Sequence, residues 1–228
     1  MLSPGFYQWY FAFVALLVQS CCYGVDLASI ESPGMEATLL LHRFETELSM
    51  GDSVVESRIN RIGLILYEPA YPSFQPGLQI GALEINQSNN PVTAGINVTG
   101  NYLGVLFRSL LYQSSHSGIR LESGYTYHAA DKLTSNQEIN LRWHELLFNI
   151  HALLTYGNFN FVLGGYTHLI DGDETAFGPI TQTREFAESE KTGMRFGLDY
   201  RVDISGKVGF YADSGARQGI GLVFTREF

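Results

Sequence analysis

The sequence contains little charge, and cationic residues are especially few. Only 16% of its 228 residues are Asp, Glu, Lys or Arg, below the ~25% that is usual in soluble globular proteins. The 14 Lys and Arg are outnumbered by 23 Asp and Glu, and the net charge of −9 argues against a nucleic-acid-binding protein, which needs a basic surface. Aromatic residues make up 13% of the chain, and glycines number 24. This much apolar side chain excludes a disordered protein.

Cysteine is confined to an N-terminal segment that lacks charge altogether. Residues 1–24 contain no Asp, Glu, Lys or Arg, and they hold the only two cysteines, Cys21 and Cys22. Their apolar run 10–18 has the length of a signal-peptide core and is followed by small or polar residues. We therefore predict a signal peptide over 1–24; lipidation at Cys21 and an uncleaved anchor are alternatives. Cleavage after residue 24 would exclude disulfides and cysteine-based sites from the mature chain.

Beyond residue 24 there is no uninterrupted apolar run of about 20 residues, the length that a membrane-spanning helix needs. The best candidate is 146–170, which has no formal charge but contains Asn149 and His151, with a turn sequence at 156–158. We interpret this segment as two strands joined by a tight turn.

Apolar and polar residues alternate along most of the remaining chain. Between residues 193 and 203, the even-numbered positions are apolar and the odd-numbered ones are Arg, Gly or Asp. A period of two separates the faces of a strand, whereas a helix would scatter them. The pattern predicts one all-β domain over 25–228, with about eight to ten antiparallel strands joined up and down by turns. The predicted strands are 37–48, 54–67, 77–86, 97–112, 118–129, 137–155, 158–170, 192–203, 206–213 and 218–228; the longest predicted connection is an outer loop over 171–191.

Alternation alone does not give the direction of the apolar faces. A lipocalin-like soluble barrel turns them inward around a ligand, whereas a membrane barrel turns them toward lipid. Two of the predicted strands, 97–112 and 137–155, are longer than usual and satisfy the ~9–11 residues that a tilted membrane strand needs.

The C-terminus favours the membrane barrel. Its last strand places Ile220, Leu222, Phe224 and the terminal Phe228 on one face. This pattern resembles the last strand of bacterial outer-membrane β-barrel proteins, although Arg226 occupies a position that is usually apolar. The resemblance implies export to the outer membrane, contact with its lipid, and recognition of these four residues by the barrel-assembly machinery.

The polar strand faces then predict the content of the lumen. We expect a network of paired charges inside the barrel, formed by Arg43, Glu45, Glu47, Arg61, Arg108, Arg120, Glu122, Arg142, His144, Arg195, Asp199 and Arg201. Such a lumen indicates a structural or surface-interaction role, or at most a narrow pore. We predict no catalytic residue, metal site or cofactor.

Two alternatives from other classes remain open at this stage. One is a barrel enzyme that acts on lipid or peptide, with His168 and Asp171 at the outer rim. The other is a lipocalin-like binding protein. The sequence does not give the oligomeric state.

Overall fold

The computed structural model describes residues 34–69, 74–179 and 181–228, and these residues form eleven β-strands. No helix in this part of the chain is long and apolar enough to cross a membrane. The predicted signal peptide, residues 1–24, lies outside the described residues. The strands are β1 (Glu36–Met50), β2 (Ser53–Tyr67), β3 (Phe74–Ser88), β4 (Asn97–Gln113), β5 (Ser117–Leu133), β6 (Glu138–Tyr156), β7 (Phe159–Phe177), β8 (Gln182–Glu188), β9 (Thr192–Arg201), β10 (Gly206–Gly215) and β11 (Gln218–Glu227).

Hydrogen bonding closes this sheet into a barrel, with different strand numbers at its two ends. At the end that holds β1 Glu36 and β11 Glu227, here called the inner end, β1 to β7 continue through β9, β10 and β11 back to β1. This ring has ten antiparallel strands. Toward the opposite, outer end, the β10–β11 hairpin stops and β8 pairs with both β7 and β1, which leaves a ring of eight. The predicted antiparallel barrel is confirmed, and eight and ten strands both occur.

The predicted outer loop over 171–191 is wrong. Strand β7 continues to Phe177, and β8 returns from Gln182 in register with it. β8 and β9 form one interrupted descending strand, because they pair with successive parts of β7. The many polar residues of this segment suggested a loop, but they alternate between the two faces of the sheet as strand residues do.

An apolar belt surrounds the inner half of the barrel. On β9, for example, Met194 is 60% exposed and Phe196 51% exposed, and both point away from the lumen. The belt consists of Leu39, Leu41, Ile62, Leu64, Leu66, Leu78, Ile80, Leu103, Val105, Phe107, Ile119, Leu121, Leu146, Phe148, Ile150, Leu154, Phe159, Phe161, Leu163, Met194, Phe196, Leu198, Val208, Phe210, Ile220, Leu222 and Phe224. This orientation is that of a membrane barrel and the opposite of a lipocalin. Three of the four predicted assembly-signal residues, Ile220, Leu222 and Phe224, are in the belt, and Phe228 is exposed beside it.

Above the belt, the outward faces of the strands become polar and the inward faces become apolar. On β1, Leu39 and Leu41 point outward, but farther up the same strand the outward positions are Arg43, Glu45 and Glu47. The inward positions change from polar to apolar at the same height. The outer half therefore has the arrangement of a water-exposed barrel, with polar residues outside and an apolar core inside.

An apolar core occupies the interior of the outer half. Phe44, Ile59, Leu141 and Trp143 are among its fully buried members, and the core as a whole has members on all eight strands of the outer ring. Eight strands enclose a space that side chains alone can fill. The β3–β4 loop is buried inside the outer mouth, where Val92 joins this core and Asn90 donates a hydrogen bond to the buried Glu174 at 2.6 Å.

Several large aromatic side chains that point into the barrel pack directly against glycines of neighbouring strands. A side chain at Gly63 or Gly81 would collide with the Tyr102 ring, and one at Gly193 would collide with the Tyr166 ring. The same relation joins Phe44 to Gly219, Tyr211 to Gly221, and both Trp143 and Phe186 to Gly172. Glycine in a strand here creates the room for a neighbouring ring, which explains why the sequence is rich in both.

Candidate functional site

The inward faces of the inner half carry the polar residues that form the candidate site. Of the twelve side chains predicted to line the lumen, Arg61, Arg108, Arg120, Glu122, Arg195 and Asp199 border one internal cavity of about 210 Å³. Arg201 has the same strand parity but is exposed at the inner rim.

The other five predicted lumen residues point outward, so that part of the prediction is wrong. Arg43, Glu45 and Glu47 alternate on β1 with the buried Phe44 and Leu48. Arg142 and His144 lie on the outer face of β6, and His144 contacts the outward-facing Tyr125 through its Nδ1 at 2.5 Å. All five lie above or at the edge of the apolar belt, where the outward face is polar.

The predicted pairing of His168 with Asp171 at the outer rim is also wrong. The two residues are three apart on β7, so their side chains point to opposite faces of the sheet. His168 is completely buried inside the barrel, whereas Asp171 is on the outside.

His168 instead belongs to a buried central cluster, formed by Arg61, Glu145, His168, Glu188 and Arg217. Glu145 accepts Arg61 Nη2 at 2.5 Å and lies 3.6 Å from Arg217 Nη1, each guanidinium facing a different carboxylate oxygen. The Nε2 atom of His168 is 3.2 Å from the same carboxylate. Each of these side chains is at least nine-tenths buried.

A second carboxylate holds the other nitrogen of His168. The Nδ1 atom lies 2.5 Å from Glu188 Oε1, a distance at which one proton must lie between the two groups. Burial raises the pKa of the Glu188 carboxyl, which lies in β8 outside the belt.

Arg217 reaches this cluster from a turn. It follows β10 at the outer end of the β10–β11 hairpin, and its backbone N–H donates to the Tyr166 hydroxyl at 2.9 Å. The turn is thereby drawn inward, and the guanidinium lies 4.8 Å from the Tyr166 ring centre and 5.6 Å from that of Phe44. Arg61 faces the same Phe44 ring at 4.8 Å. Phe44 thus separates the central cluster from the apolar core above it.

Two further ion-pair groups line the cavity nearer the inner end. Arg108 bridges Glu36 at 2.9 Å and Glu122 at 3.3 Å, and it stacks on Tyr67 at 3.8 Å. Arg120 also contacts Glu122, at 3.0 Å. On another wall, Arg195 forms a two-point contact with Asp213, at 2.7 and 2.8 Å.

Several of these residues were missed in the sequence. Glu36, Glu145, Glu188, Asp213 and Arg217 are all buried inside, but none was among the predicted lumen residues. On β6 the apolar positions change from odd to even numbers between Trp143 and Leu146, and this change of parity was the available signal for Glu145.

The interior as a whole is electrically balanced, whereas the outside is acidic. Seven carboxylates and seven cations point inward: Glu36, Glu122, Glu145, Glu174, Glu188, Asp199 and Asp213, with Arg61, Arg108, Arg120, Arg184, Arg195, Lys207 and Arg217. The outward faces and turns of the outer half carry eleven carboxylates and five cations: Glu45, Glu47, Asp52, Glu56, Glu84, Asp131, Glu138, Asp171, Asp173, Glu185 and Glu190, with Arg43, Arg58, Lys132, Arg142 and Lys191.

Within 34–69, 74–179 and 181–228, no three His, Cys, Asp or Glu residues are grouped so as to hold an ion. On β7, Asp171 and Asp173 face outward and Glu174 faces inward, so the acidic segment 171–174 does not converge on a point.

Comparison with solved structures identifies the architecture. The chain is similar to the outer membrane protease OmpT from Escherichia coli, with a TM-score of 0.53 and 9% identity over 89% of this chain and 99% of that one. It is also similar to the translocator domain of the autotransporter NalP from Neisseria meningitidis, with a TM-score of 0.50 and 8% identity over 96% of both chains. No protein-family model and no curated sequence matches. At these identities the similarity concerns the fold: this chain is a β-barrel of the outer-membrane type.

Proposed function

We propose that this protein is a closed outer-membrane barrel that displays an acidic outer half for interaction with cationic partners. The observation that carries the proposal is the division of charge. The interior is neutral and paired, whereas carboxylates outnumber cations eleven to five on the outside of the outer half. An excess of one sign on an exposed surface attracts partners of the other sign and speeds their association.

Several of these carboxylates lie together in one groove. The groove has a volume of about 290 Å³ and lies beside the outer end of the β10–β11 hairpin. Four carboxylates line it, those of Glu45, Glu47, Glu56 and Glu190, with Arg58 as the only cation. Arg58 is paired with Glu45 at 2.7 Å, so the other three carboxylates are available for a lysine- or arginine-rich segment.

Binding of an oligolysine peptide to the purified full chain, in uncharged detergent micelles, tests this proposal. We expect binding at low salt that is largely lost at about 0.5 M NaCl, because exposed charges are then screened. The triple variant Glu47→Gln, Glu56→Gln, Glu190→Gln should bind about tenfold more weakly, a loss of about 1.4 kcal/mol.

The matched control removes carboxylates at the inner end of the barrel instead. A Glu68→Gln, Glu227→Gln variant should bind the peptide as the parent does. Equal loss in both variants would mean that net charge alone, and not the outer half, attracts the peptide, and the proposal would fail.

The same architecture argues against a pore. The apolar core and the buried β3–β4 loop occupy the interior of the outer half, so an ion would have to pass between packed and largely apolar side chains. In planar lipid bilayers, we expect the reconstituted barrel to give no conductance steps above baseline under conditions where a general porin gives them. Regular steps of one size would contradict a closed lumen.

A further inference from the structure

The lumen cavity ends beside Phe44, and this blind end contains buried hydrogen-bond donors that no protein atom uses. Six cations border the cavity, namely Arg61, Arg108, Arg120, Arg195, Lys207 and Arg217, together with the carboxylates of Glu36, Glu122, Glu145, Asp199 and Asp213. In the central cluster, Arg61 and Arg217 both contact the carboxylate of Glu145.

The two guanidinium groups also have donors that no protein atom accepts. Arg217 is 2% exposed, and neither its Nε nor its Nη2 has a hydrogen-bond partner among the described residues. The Nε of Arg61 is likewise unpartnered. Buried donors without an acceptor are costly. Water could accept these hydrogen bonds, but an ionised acceptor forms stronger ones with a guanidinium group.

We propose that the cavity binds a small oxyanion, a carboxylate or a phosphate, at its blind end between Arg61 and Arg217. The planar fork of a guanidinium matches the paired oxygens of both groups. The ligand reaches this position from the inner end of the barrel, because the apolar core closes the other side.

Neighbouring side chains complete a site of suitable size. His151 and Asn149 also border the cavity, both almost fully buried; neither ring nitrogen of His151 has a hydrogen-bond partner among the described residues, and neither does Asn149 Oδ1. These groups can orient the polar part of a ligand that carries more than its anionic end. The volume of about 210 Å³ admits a molecule of a few heavy atoms but not a polymer.

Heat unfolding of the purified full chain in detergent micelles tests the site without any substitution. Sodium acetate and sodium phosphate are compared with sodium chloride at equal ionic strength. We expect one or both oxyanions to raise the unfolding midpoint in a saturable manner, since a ligand that binds only the folded state stabilises it; which of the two acts identifies the ligand type. Equal effects of all three salts, or no effect of any, would overturn the proposal.

Calorimetric titration with the active oxyanion then locates the site. Arg217→Lys keeps the charge and the contact with Glu145 but removes the fork, and should weaken binding about tenfold or more. Arg226→Gln, which removes an exposed arginine at the inner rim, should leave binding unchanged. Unchanged affinity in a folded Arg217→Lys protein would overturn the location. The proposal concerns the inner cavity alone, so peptide binding by the outer half can fail or succeed independently of it.

Discussion

Replacing Glu145 by glutamine is expected to lower the free energy of unfolding by about 3–5 kcal/mol, the usual consequence of removing one partner from a buried ion pair. Among the described residues, Glu145 is the only carboxylate that contacts both Arg61 and Arg217, and it also lies 3.2 Å from His128 and His168. Glutamine has the same shape but no charge. The substitution would therefore leave two buried guanidinium groups without a counter-charge.

Urea titration of the barrel in micelles, followed by the β-sheet circular dichroism signal, would measure this loss. Glu45→Gln is the matched control, because it breaks a single Arg58 ion pair that is about half exposed. Such surface pairs contribute at most about 1 kcal/mol. If Glu145→Gln cost no more than the control, the central cluster would have to be hydrated, and the account of it given above would be incorrect.

Trp143→Ala is expected to have an effect of similar size, through packing instead of charge. The Trp143 ring is 2% exposed, stacks on His128 with ring centres 4.6 Å apart, and meets Phe186 at 6.4 Å. Truncating such a buried aromatic side chain costs about 3–5 kcal/mol, because apolar contacts are lost and a cavity remains. The free energy of unfolding is again the quantity to measure.

Leu133→Ala provides the comparison within the same half of the barrel. Leu133 is 76% exposed at the outer end of β5, so its truncation should change the unfolding free energy by less than about 0.5 kcal/mol. Nearly equal effects of the two substitutions would show that the outer half is not a packed apolar core.

Strand positions were largely predictable from the sequence because the period of two persists along the whole barrel. The ten predicted strands overlap ten of the eleven observed, and only β8 was missed. Its residues 182–188 alternate too, but their outward members are Thr183 and Glu185, which lie above the belt. Such a strand is not recognised when every outward-facing residue is expected to be apolar.

The same expectation explains the errors in the candidate site. A strand that crosses from lipid into water must exchange the character of its faces, so its apolar positions change parity without any bulge. On β2 they are odd at Val55 and Ile59 but even at Ile62 and Leu64. Treating each strand as having one apolar face assigned Arg43 and His144 to the lumen and overlooked Glu145. Arg217 was not predictable in this way, because tertiary contacts with Tyr166 turn it inward.

Where the ring changes from ten strands to eight, the pairing between β1 and β8 is very short. Ten residue pairs join β1 to β11, but only two, Leu48–Glu188 and Ser49–Ala187, join β1 to β8. Thermal opening between strands will start at the β1–β8 pairing, because fewer hydrogen bonds must break there than between any other two neighbouring strands of either ring. The opening would extend along β1 as far as Glu45, where the pairing of β1 with β11 begins. The outer half can therefore open transiently between β1 and β8 while the strand pairing of the lipid-facing half remains intact.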